Sequence, residues 1–218
     1  MSDEIVFYHN PKSRAQMVHW MLEELGGVPY RTVIIDMEKQ EHKTPEFLAI
    51  NPMGKLPVLV HDGTVITETA AIITYLADTF PQAGLAPLPG DARRGTYLRW
   101  LFFGAGCFEP ALIDAMFKRP PVERKGALGY GSYEETINAL KKMLVPGPYI
   151  LGEQFSAADV YVGAQLSWGA KFGAPGLDEP IFKNYLERIT SRRPTRSPRA
   201  DRNTRTKRTS KRPWRIAS

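Results

Sequence analysis

The sequence predicts an α/β domain followed by an all-helical domain, and three observations lead to this prediction. Strand-like and helix-like segments alternate over residues 1–80 in the order βαβ-α-ββα. Residues 81–90 hold three prolines and two glycines, a composition typical of domain boundaries. Residues 91–190 then show helical periodicity without the alternation that marks strands.

The first strand–helix–strand unit begins with the apolar run 5–8, which turn-forming residues follow, so it predicts a buried strand. Ser13 is expected to cap the next helix, because its hydroxyl suits the N-cap position. Two glycines at 26–27 end that helix. Residues 30–35 are rich in β-branched side chains and predict a second strand. The connection is long and contains a helix, which favours a parallel pair.

The second half of this domain predicts a short helix, a hairpin and a longer helix. Thr44 suits a helix cap and Pro45 the first helical position. Residues 56–61 and 65–66 flank an Asp-Gly pair, which favours a tight hairpin turn. A further helix is predicted over residues 67–80, with a proline just beyond its end.

The rest of the folded chain predicts helices only. Ser156 and Asp159 have the spacing of a capping box, in which each side chain binds the other residue's backbone N–H. This pair is predicted to stabilise the fold and has no catalytic role. The predicted helices cover residues 93–108, 133–144, 156–172 and 181–189.

Composition is that of a globular protein without membrane spans. Hydrophobic residues make up 43% of the chain and charged residues 24%. No apolar run approaches the roughly 20 residues that cross a bilayer, and the acidic start with Asp3 and Glu4 is unlike a signal peptide. We therefore expect a cytosolic protein. Cys107 is the single cysteine, which excludes an intramolecular disulfide, and its apolar surroundings predict a buried, inert thiol.

The positive net charge comes from the C-terminal segment alone. The whole chain carries a formal charge of +6. Residues 191–218 contain eleven Lys and Arg against one acid, a net charge of +10, so the preceding 190 residues carry −4. Since residues 191–218 have few apolar side chains, they are expected to be disordered.

Four motifs, in this order and at these intervals, resemble those of the glutathione S-transferase family. The resemblance extends from about residue 5 to about residue 191. The motifs are Ser13-Arg14 with Trp20-Met21-Leu22-Glu23-Glu24, Asn51-Pro52-Met53-Gly54-Lys55-Leu56-Pro57-Val58, Thr67-Glu68-Thr69-Ala70-Ala71-Ile72, and Phe155-Ser156-Ala157-Ala158-Asp159.

This resemblance implies a thioredoxin-like glutathione-binding domain at residues 1–80, a linker at 81–90 and an all-α domain at 91–190. Composition, not the resemblance, predicts the basic tail at 191–218. The resemblance further implies a cytoplasmic glutathione transferase that works in detoxification as a homodimer. Glutathione is the expected co-substrate, with no metal. The thiolate of glutathione would attack a small electrophilic or hydrophobic substrate, or would support peroxide or disulfide reduction.

The resemblance also implies which residues bind glutathione. The family's proline at the position of Pro57 is cis, which exposes the backbone of Leu56 to the cysteinyl part of the ligand. Glu68 is expected to accept hydrogen bonds from the ligand's ammonium group. Thr69 and the unpaired N–H groups of its helix are expected to hold the γ-glutamyl carboxylate.

Two further residues, His42 and Lys55, are candidates for the glycyl carboxylate of glutathione. Both fall where some members of the family place cationic or donor groups. A solvent-exposed surface role is the alternative for each residue.

Three residues are candidates for the hydrogen-bond donor that stabilises the thiolate. Tyr8 matches the position of the phenol in tyrosine-type enzymes, and Asn10 the position of the hydroxyl in several serine-type enzymes. Ser13 matches a cysteine or serine of some bacterial members, and we favour it. A free thiol has a pKa near 8.5, so a donor is needed to hold the anion at neutral pH.

The second substrate is expected between the two domains, against aromatic side chains of the helical domain. Packing in the helical core is the alternative for these residues. They are Trp100, Phe103, Phe108 and Trp168.

The resemblance stops near Arg192, where family members continue with helical sequence. A shifted reading frame is one hypothesis for residues 191–218. Another is a nucleic-acid-binding arm, in which case the protein could be a non-catalytic interaction protein of the same fold.

Overall fold

A computed structural model describes residues 4–120 and 122–192 of the chain, and only the backbone of Lys125. The described chain divides into two compact units, with the boundary between Leu76 and Ala77. The predicted tail lies outside the described residues from position 193 onward.

A four-stranded mixed sheet forms the centre of the first unit. Its strands are β1 (Ile5–His9), β2 (Tyr30–Ile34), β3 (Val58–His61) and β4 (Thr64–Thr67), in the order β2-β1-β3-β4. β1 pairs parallel to β2 and antiparallel to β3. The predicted parallel pair is therefore confirmed.

The hairpin between β3 and β4 turns at Asp62 and Gly63, as predicted. Their φ angles are 48° and 81°, the left-handed values that a two-residue type I′ turn requires. The turn fixes the antiparallel register in which His61 pairs with Thr64.

Three helices cover the two faces of this sheet: α1 (Ala15–Glu24), α2 (Pro45–Ile50) and α3 (Thr69–Thr79). Alternate residues of β1 point to opposite faces. Tyr8 lies in one apolar cluster with Phe47 of α2.

The opposite face of the sheet carries α1 and α3. The ring of His9 lies 5.5 Å from the ring of His19 on α1, measured between centroids. His61 Nδ1 and Tyr75 Oη of α3 are 2.8 Å apart. This αβα arrangement, with helices on both faces of the sheet, is that of the predicted thioredoxin-like domain.

The second unit is helical, as predicted. A π-helical turn at Gly104–Phe108 forms the last five residues of the predicted helix 93–108. The helix that follows it, over residues 109–116, was not predicted. The other predicted helices form within two residues of their expected ends. The helices are α4 (Arg94–Phe103), α5 (Glu109–Met116), α6 (Tyr133–Leu144), α7 (Ala157–Lys171) and α8 (Pro180–Ser191). Among the described residues, no helix has the length and apolarity that a membrane span requires.

The π-helical turn is held by a side chain from α7. Gln165 is 2% exposed, and its Nε2 donates to the carbonyl oxygen of Gly104 and to a carboxylate oxygen of Glu109, each at 3.1 Å. A Cβ on Gly104 would lie 2.9 Å from Gln165 Oε1, so glycine makes room for this contact. Cys107 lies on the turn and is half-buried, because the π turn places it toward the surface. The prediction of a buried thiol is therefore wrong.

The proline- and glycine-rich segment 81–90 is bound to the helical unit. The N–H of Ala157 donates to the carbonyl oxygen of Leu85 at 2.8 Å, and Gln154 Nε2 donates to that of Gly84 at 2.9 Å. Leu85 is 3% exposed. These contacts attach the segment to the residues around the start of α7.

The predicted capping box of α7 is present and extends further than the sequence indicated. Asp159 is fully buried, and its two carboxylate oxygens accept hydrogen bonds from Ile150 N, Ser156 N, Ser156 Oγ and Tyr185 Oη at 2.9–3.1 Å. Burial raises the pKa of Asp159, and the hydrogen bonds act in the opposite direction. The carboxylate thus joins α7, α8 and the segment before α7.

We expect Asp159→Ala to lower the free energy of unfolding by about 3 kcal/mol or more, because it leaves several buried donors without an acceptor. Tyr185→Phe removes one of these hydrogen bonds and should cost about 1 kcal/mol. Urea unfolding followed by circular dichroism measures both values. Equal stability of the two variants would contradict the network as described.

Candidate functional site

The strand register brings three chain segments to one edge of the sheet. Tyr8 of β1 pairs with Val58 of β3, and Val58 pairs with Thr67 of β4. The loop after β1, the loop before β3 and the start of α3 therefore lie side by side. These segments contain the glutathione motifs of the N-terminal domain.

Hydrogen bonds fold the loop after β1 around Asn10. Its Nδ2 donates to the carbonyl oxygen of Ile35 at 2.8 Å, and its Oδ1 accepts from the N–H of Lys12 at 2.8 Å. Ser13 Oγ donates to the carbonyl oxygen of Asn10 at 2.8 Å and accepts from the N–H of Ala15 at 3.2 Å. α1 begins at Ala15, and Arg14 is its N-cap, without a side-chain capping bond. The prediction that Ser13 caps this helix is therefore wrong, because the Ser13 hydroxyl lies one residue too early and bonds within the turn before the helix.

Asn51 organises the loop before β3. It is 3% exposed, its Nδ2 donates to the carbonyl oxygen of Lys55 at 2.9 Å, and its Oδ1 accepts from the N–H of Met53 at 3.1 Å. Its own carbonyl accepts from the N–H of Gly54 at 2.8 Å. The sequence marked Asn51 only as a turn residue, because these bonds depend on the path of the loop.

The backbone of Leu56 is available at this edge. The Leu56–Pro57 peptide is cis, as the resemblance implied. The side chain of Leu56 packs against the core cluster of Tyr8 and Phe47. Within the residues that the structure describes, the N–H and carbonyl of Leu56 make no hydrogen bond. An extended peptide ligand could therefore pair with them as an added strand does.

The start of α3 forms the third part of the site. Glu68 is exposed and has a φ of 65°, and its carbonyl accepts the first helical hydrogen bond from Ile72 N at 2.9 Å. The N–H groups of the first turn, beginning at Thr69, point out of the helix end, where the helix dipole favours an anion.

The two candidates for the glycyl carboxylate belong to adjoining segments. His42 is half-buried, and its Nδ1 is buried without a hydrogen-bond partner in the described chain. Lys55 is exposed. A Cβ on Gly54 would lie 2.8 Å from the carbonyl oxygen of His42 and 2.7 Å from Lys43 Nζ, so the two segments touch. Lys43 is a cation here that sequence reasoning missed, because its approach to Gly54 requires the folded loop.

The predicted donor Tyr8 lies in the core. It is 5% exposed and packs edge-on against Phe47, with ring centroids 6.0 Å apart. Burial raises the pKa of Tyr8. These surroundings suit the alternative that the sequence left open, a core aromatic.

His9 is a buried histidine beside the site that the sequence did not single out. It is 8% exposed, and its Nδ1 has no hydrogen-bond partner among the described residues. Burial, with a smaller contribution from His19, lowers the pKa of His9 to about 4. His9 is therefore neutral at physiological pH.

Two of the four aromatic candidates for the second substrate belong to the helical core. Phe108 is fully buried and Trp100 is 9% exposed, in edge-on contact with Phe103. Phe103 and Trp168 are half-buried.

A cavity of about 340 Å³ in the helical unit is distinct from the motif residues. It is lined by Leu144, Gly147, Pro148, Ile181, Asn184, Tyr185 and Arg188. No cluster of three or more potential metal ligands occurs in the described part of the chain.

Comparison with known proteins identifies the family. Residues 13–79 match the family model described as "Glutathione S-transferase, N-terminal domain". A glutathione S-transferase of Xanthomonas campestris pv. campestris is 30% identical, over 67% of this chain and 74% of the relative. The chain belongs to the glutathione S-transferase family. The transferase GstA of Escherichia coli O157:H7 is 28% identical over 85% of this chain and 92% of its own.

Solved glutathione S-transferases have the same fold. The structure of a sphingomonad glutathione S-transferase in complex with glutathione superposes with a TM-score of 0.69. It is 30% identical and covers 86% of this chain and 93% of its own. The predictions of a glutathione S-transferase family enzyme and of a thioredoxin-like domain followed by a helical domain are confirmed.

The lowered pKa of His9 predicts that the free energy of unfolding decreases in acid. Its folded pKa lies below the ordinary value of 6.5, so the stabilisation is complete above pH 6.5 and is lost as the pH falls toward 4. The wild-type chain should lose about 2 kcal/mol more unfolding free energy between pH 7 and pH 5 than His9→Gln. Urea titrations at each pH measure this difference.

His19→Gln is the matched control, because the His19 charge is the smaller cause of the shift. It should retain most of the pH dependence. Identical pH dependence of the wild-type chain and His9→Gln would contradict the assignment.

Proposed function

We propose that this chain binds glutathione along the edge of its sheet and activates the thiol for attack on an electrophile. The proposal rests on the strand pairing of Tyr8 with Val58 and of Val58 with Thr67, because these pairs bring the three motif segments to one edge of the sheet. The cysteinyl backbone pairs with Leu56, and the γ-glutamyl group lies at Glu68 and Thr69. His42 and Lys55 face the glycyl carboxylate.

The dimensions of this edge suit a tripeptide. Neighbouring strands lie about 4.8 Å apart, so β1, β3 and β4 span about 10 Å. An extended tripeptide also spans about 10 Å. In the proposed arrangement the γ-glutamyl end lies at α3, the cysteinyl backbone at Leu56 and the glycyl end at His42 and Lys55, with the sulfur toward the loop after β1.

Ser13 is the proposed thiolate donor in that loop. Its hydroxyl is half-buried at the start of α1, and its proton points to a backbone carbonyl that a bound anion can replace. Asn10 has both side-chain ends engaged, and Tyr8 lies in the core cluster. These contacts favour Ser13 over the other two.

The sulfur anion would displace a leaving group from, or add to, a small electrophilic or hydrophobic molecule. The same thiolate would also serve as the reductant of a peroxide or a disulfide. Phe103 and Trp168 are the remaining aromatic candidates for the second substrate. The resemblance to the family supports a homodimer, and a single free cysteine fits the reducing cytoplasm.

Calorimetric titration with glutathione tests the binding part of the proposal. We expect uptake by the full chain, and Thr69→Ala should raise the Kd roughly tenfold, because a hydrogen bond to a carboxylate is lost. Thr69→Ser keeps the hydroxyl and should bind nearly as wild type. Thr64→Ala, at the exposed far end of β4, should have no effect. No uptake by folded protein at millimolar glutathione would overturn the function.

The pKa of the bound thiol, followed by thiolate absorbance, tests the chemical part. Ser13→Ala should raise the pKa of the bound thiol by about one pKa unit, because one hydrogen-bond donor to the sulfur is lost. It should also slow turnover with electrophiles. The Kd for glutathione should change little. An unchanged thiol pKa would exclude Ser13 as the donor and leave backbone N–H groups as the source of stabilisation.

A further inference from the structure

We propose that Asn10 is a positioning residue, which fixes the Ser13 hydroxyl for the glutathione sulfur and does not donate to the sulfur itself. The inference rests on the proposed function, because it concerns the same bound thiol. It assigns a role to a residue that the sequence offered only as an alternative donor.

Both the nitrogen and the oxygen of the Asn10 side-chain amide form hydrogen bonds within the protein. Its Nδ2 donates to the carbonyl oxygen of Ile35 at 2.8 Å. Its Oδ1 accepts from the N–H of Lys12 at 2.8 Å, which closes an Asx turn and bends the chain directly after β1. A side chain that turns toward a ligand would break both bonds, so direct donation to sulfur is unfavourable.

The bond to Ile35 anchors the loop in the sheet. Ile35 follows the last residue of β2 and is 4% exposed, and its N–H donates to the carbonyl oxygen of His9 at 2.9 Å. The Asn10 side chain thus continues the β1–β2 pairing by one further hydrogen bond. Because Ile35 is itself bonded to the backbone of His9, this bond holds the backbone of Asn10 next to the end of β2.

That carbonyl in turn fixes Ser13. The carbonyl oxygen of Asn10 accepts from Ser13 N at 3.1 Å and from Ser13 Oγ at 2.8 Å. The Ala15 N–H donates to the same hydroxyl at 3.2 Å. These bonds hold the hydroxyl oxygen of Ser13 in one position. Its proton can still rotate from the carbonyl oxygen of Asn10 to a thiolate, which is the stronger acceptor.

A double-mutant cycle on the full chain tests this coupling, with the thiol pKa of bound glutathione as the readout. If Asn10 acts through Ser13, Asn10→Ala raises the thiol pKa by about one in the wild-type background. In the Ser13→Ala background the same substitution leaves it unchanged, because there is no hydroxyl left to position. Additive effects would show that Asn10 donates to the sulfur directly, and they overturn the inference.

Gln16→Ala is the matched control, since it also removes a neutral side-chain amide bound to this loop, from Gln16 Nε2 to the carbonyl oxygen of Pro11 at 3.3 Å. Gln16 is exposed, and its loss should not move the thiol pKa. Asn10→Ser, which keeps a short acceptor for Lys12 N–H, serves as a milder second variant if Asn10→Ala folds poorly.

The two proposals fail separately. If the wild-type chain takes up no glutathione, the proposed function fails and this inference with it. If the chain binds glutathione but neither Asn10 variant changes the thiol pKa, the function stands and the positioning role is wrong.

Discussion

The candidate site depends on the simultaneous pairing of β1 with β2 on one side and β3 on the other. Side chains on a strand alternate between faces, so a shift of one residue would exchange Tyr8 and His9 between the α2 side and the α1 side. The same shift would displace Asn10 relative to Ile35 and Pro57 relative to the end of β1. Two side-chain amides, of Asn10 and Asn51, then fix the loops that leave this edge. Backbone pairing thus positions the ends of the strands, and the two amides hold the loops after β1 and before β3.

The helical unit depends in a comparable way on one central helix, α7. Glycines let neighbouring segments approach it closely. A Cβ on Gly169 would lie 2.6 Å from Cδ1 of Leu177, in the turn after α7, and one on Gly163 would overlap Ile189 of α8. The N-terminus of α7 is closed by the buried carboxylate of Asp159, and its middle holds the π-helical turn through Gln165. Buried polar groups that are satisfied in this way specify one arrangement of the helices more strictly than apolar contacts do.

Local sequence signals predicted the features that depend on neighbouring residues. The Asp62-Gly63 turn, the Thr44 cap and the Ser156–Asp159 capping box each follow from the chemistry of a few adjacent positions, and each is present. Three of the four motifs lie within residues 13–79, which match the N-terminal domain model of the family. The π-helical turn was not predictable, because residues 93–108 read as one helix and the side chain that holds the turn comes from position 165. The proposal of Ser13 over Tyr8 and Asn10 also depends on the fold, because it uses the burial of Tyr8 and the bond from Asn10 to the distant carbonyl of Ile35.

Glu68 stands in the left-handed region at φ 65°, a conformation that costs a non-glycine residue on the order of 1–3 kcal/mol. Glycine would adopt this conformation without strain. Glu68→Gly would therefore relieve the backbone strain, but it would remove the carboxylate that is proposed to accept hydrogen bonds from the ligand's ammonium group. At this position the stability of the helix start and the proposed recognition of the ligand therefore make opposite demands on the residue.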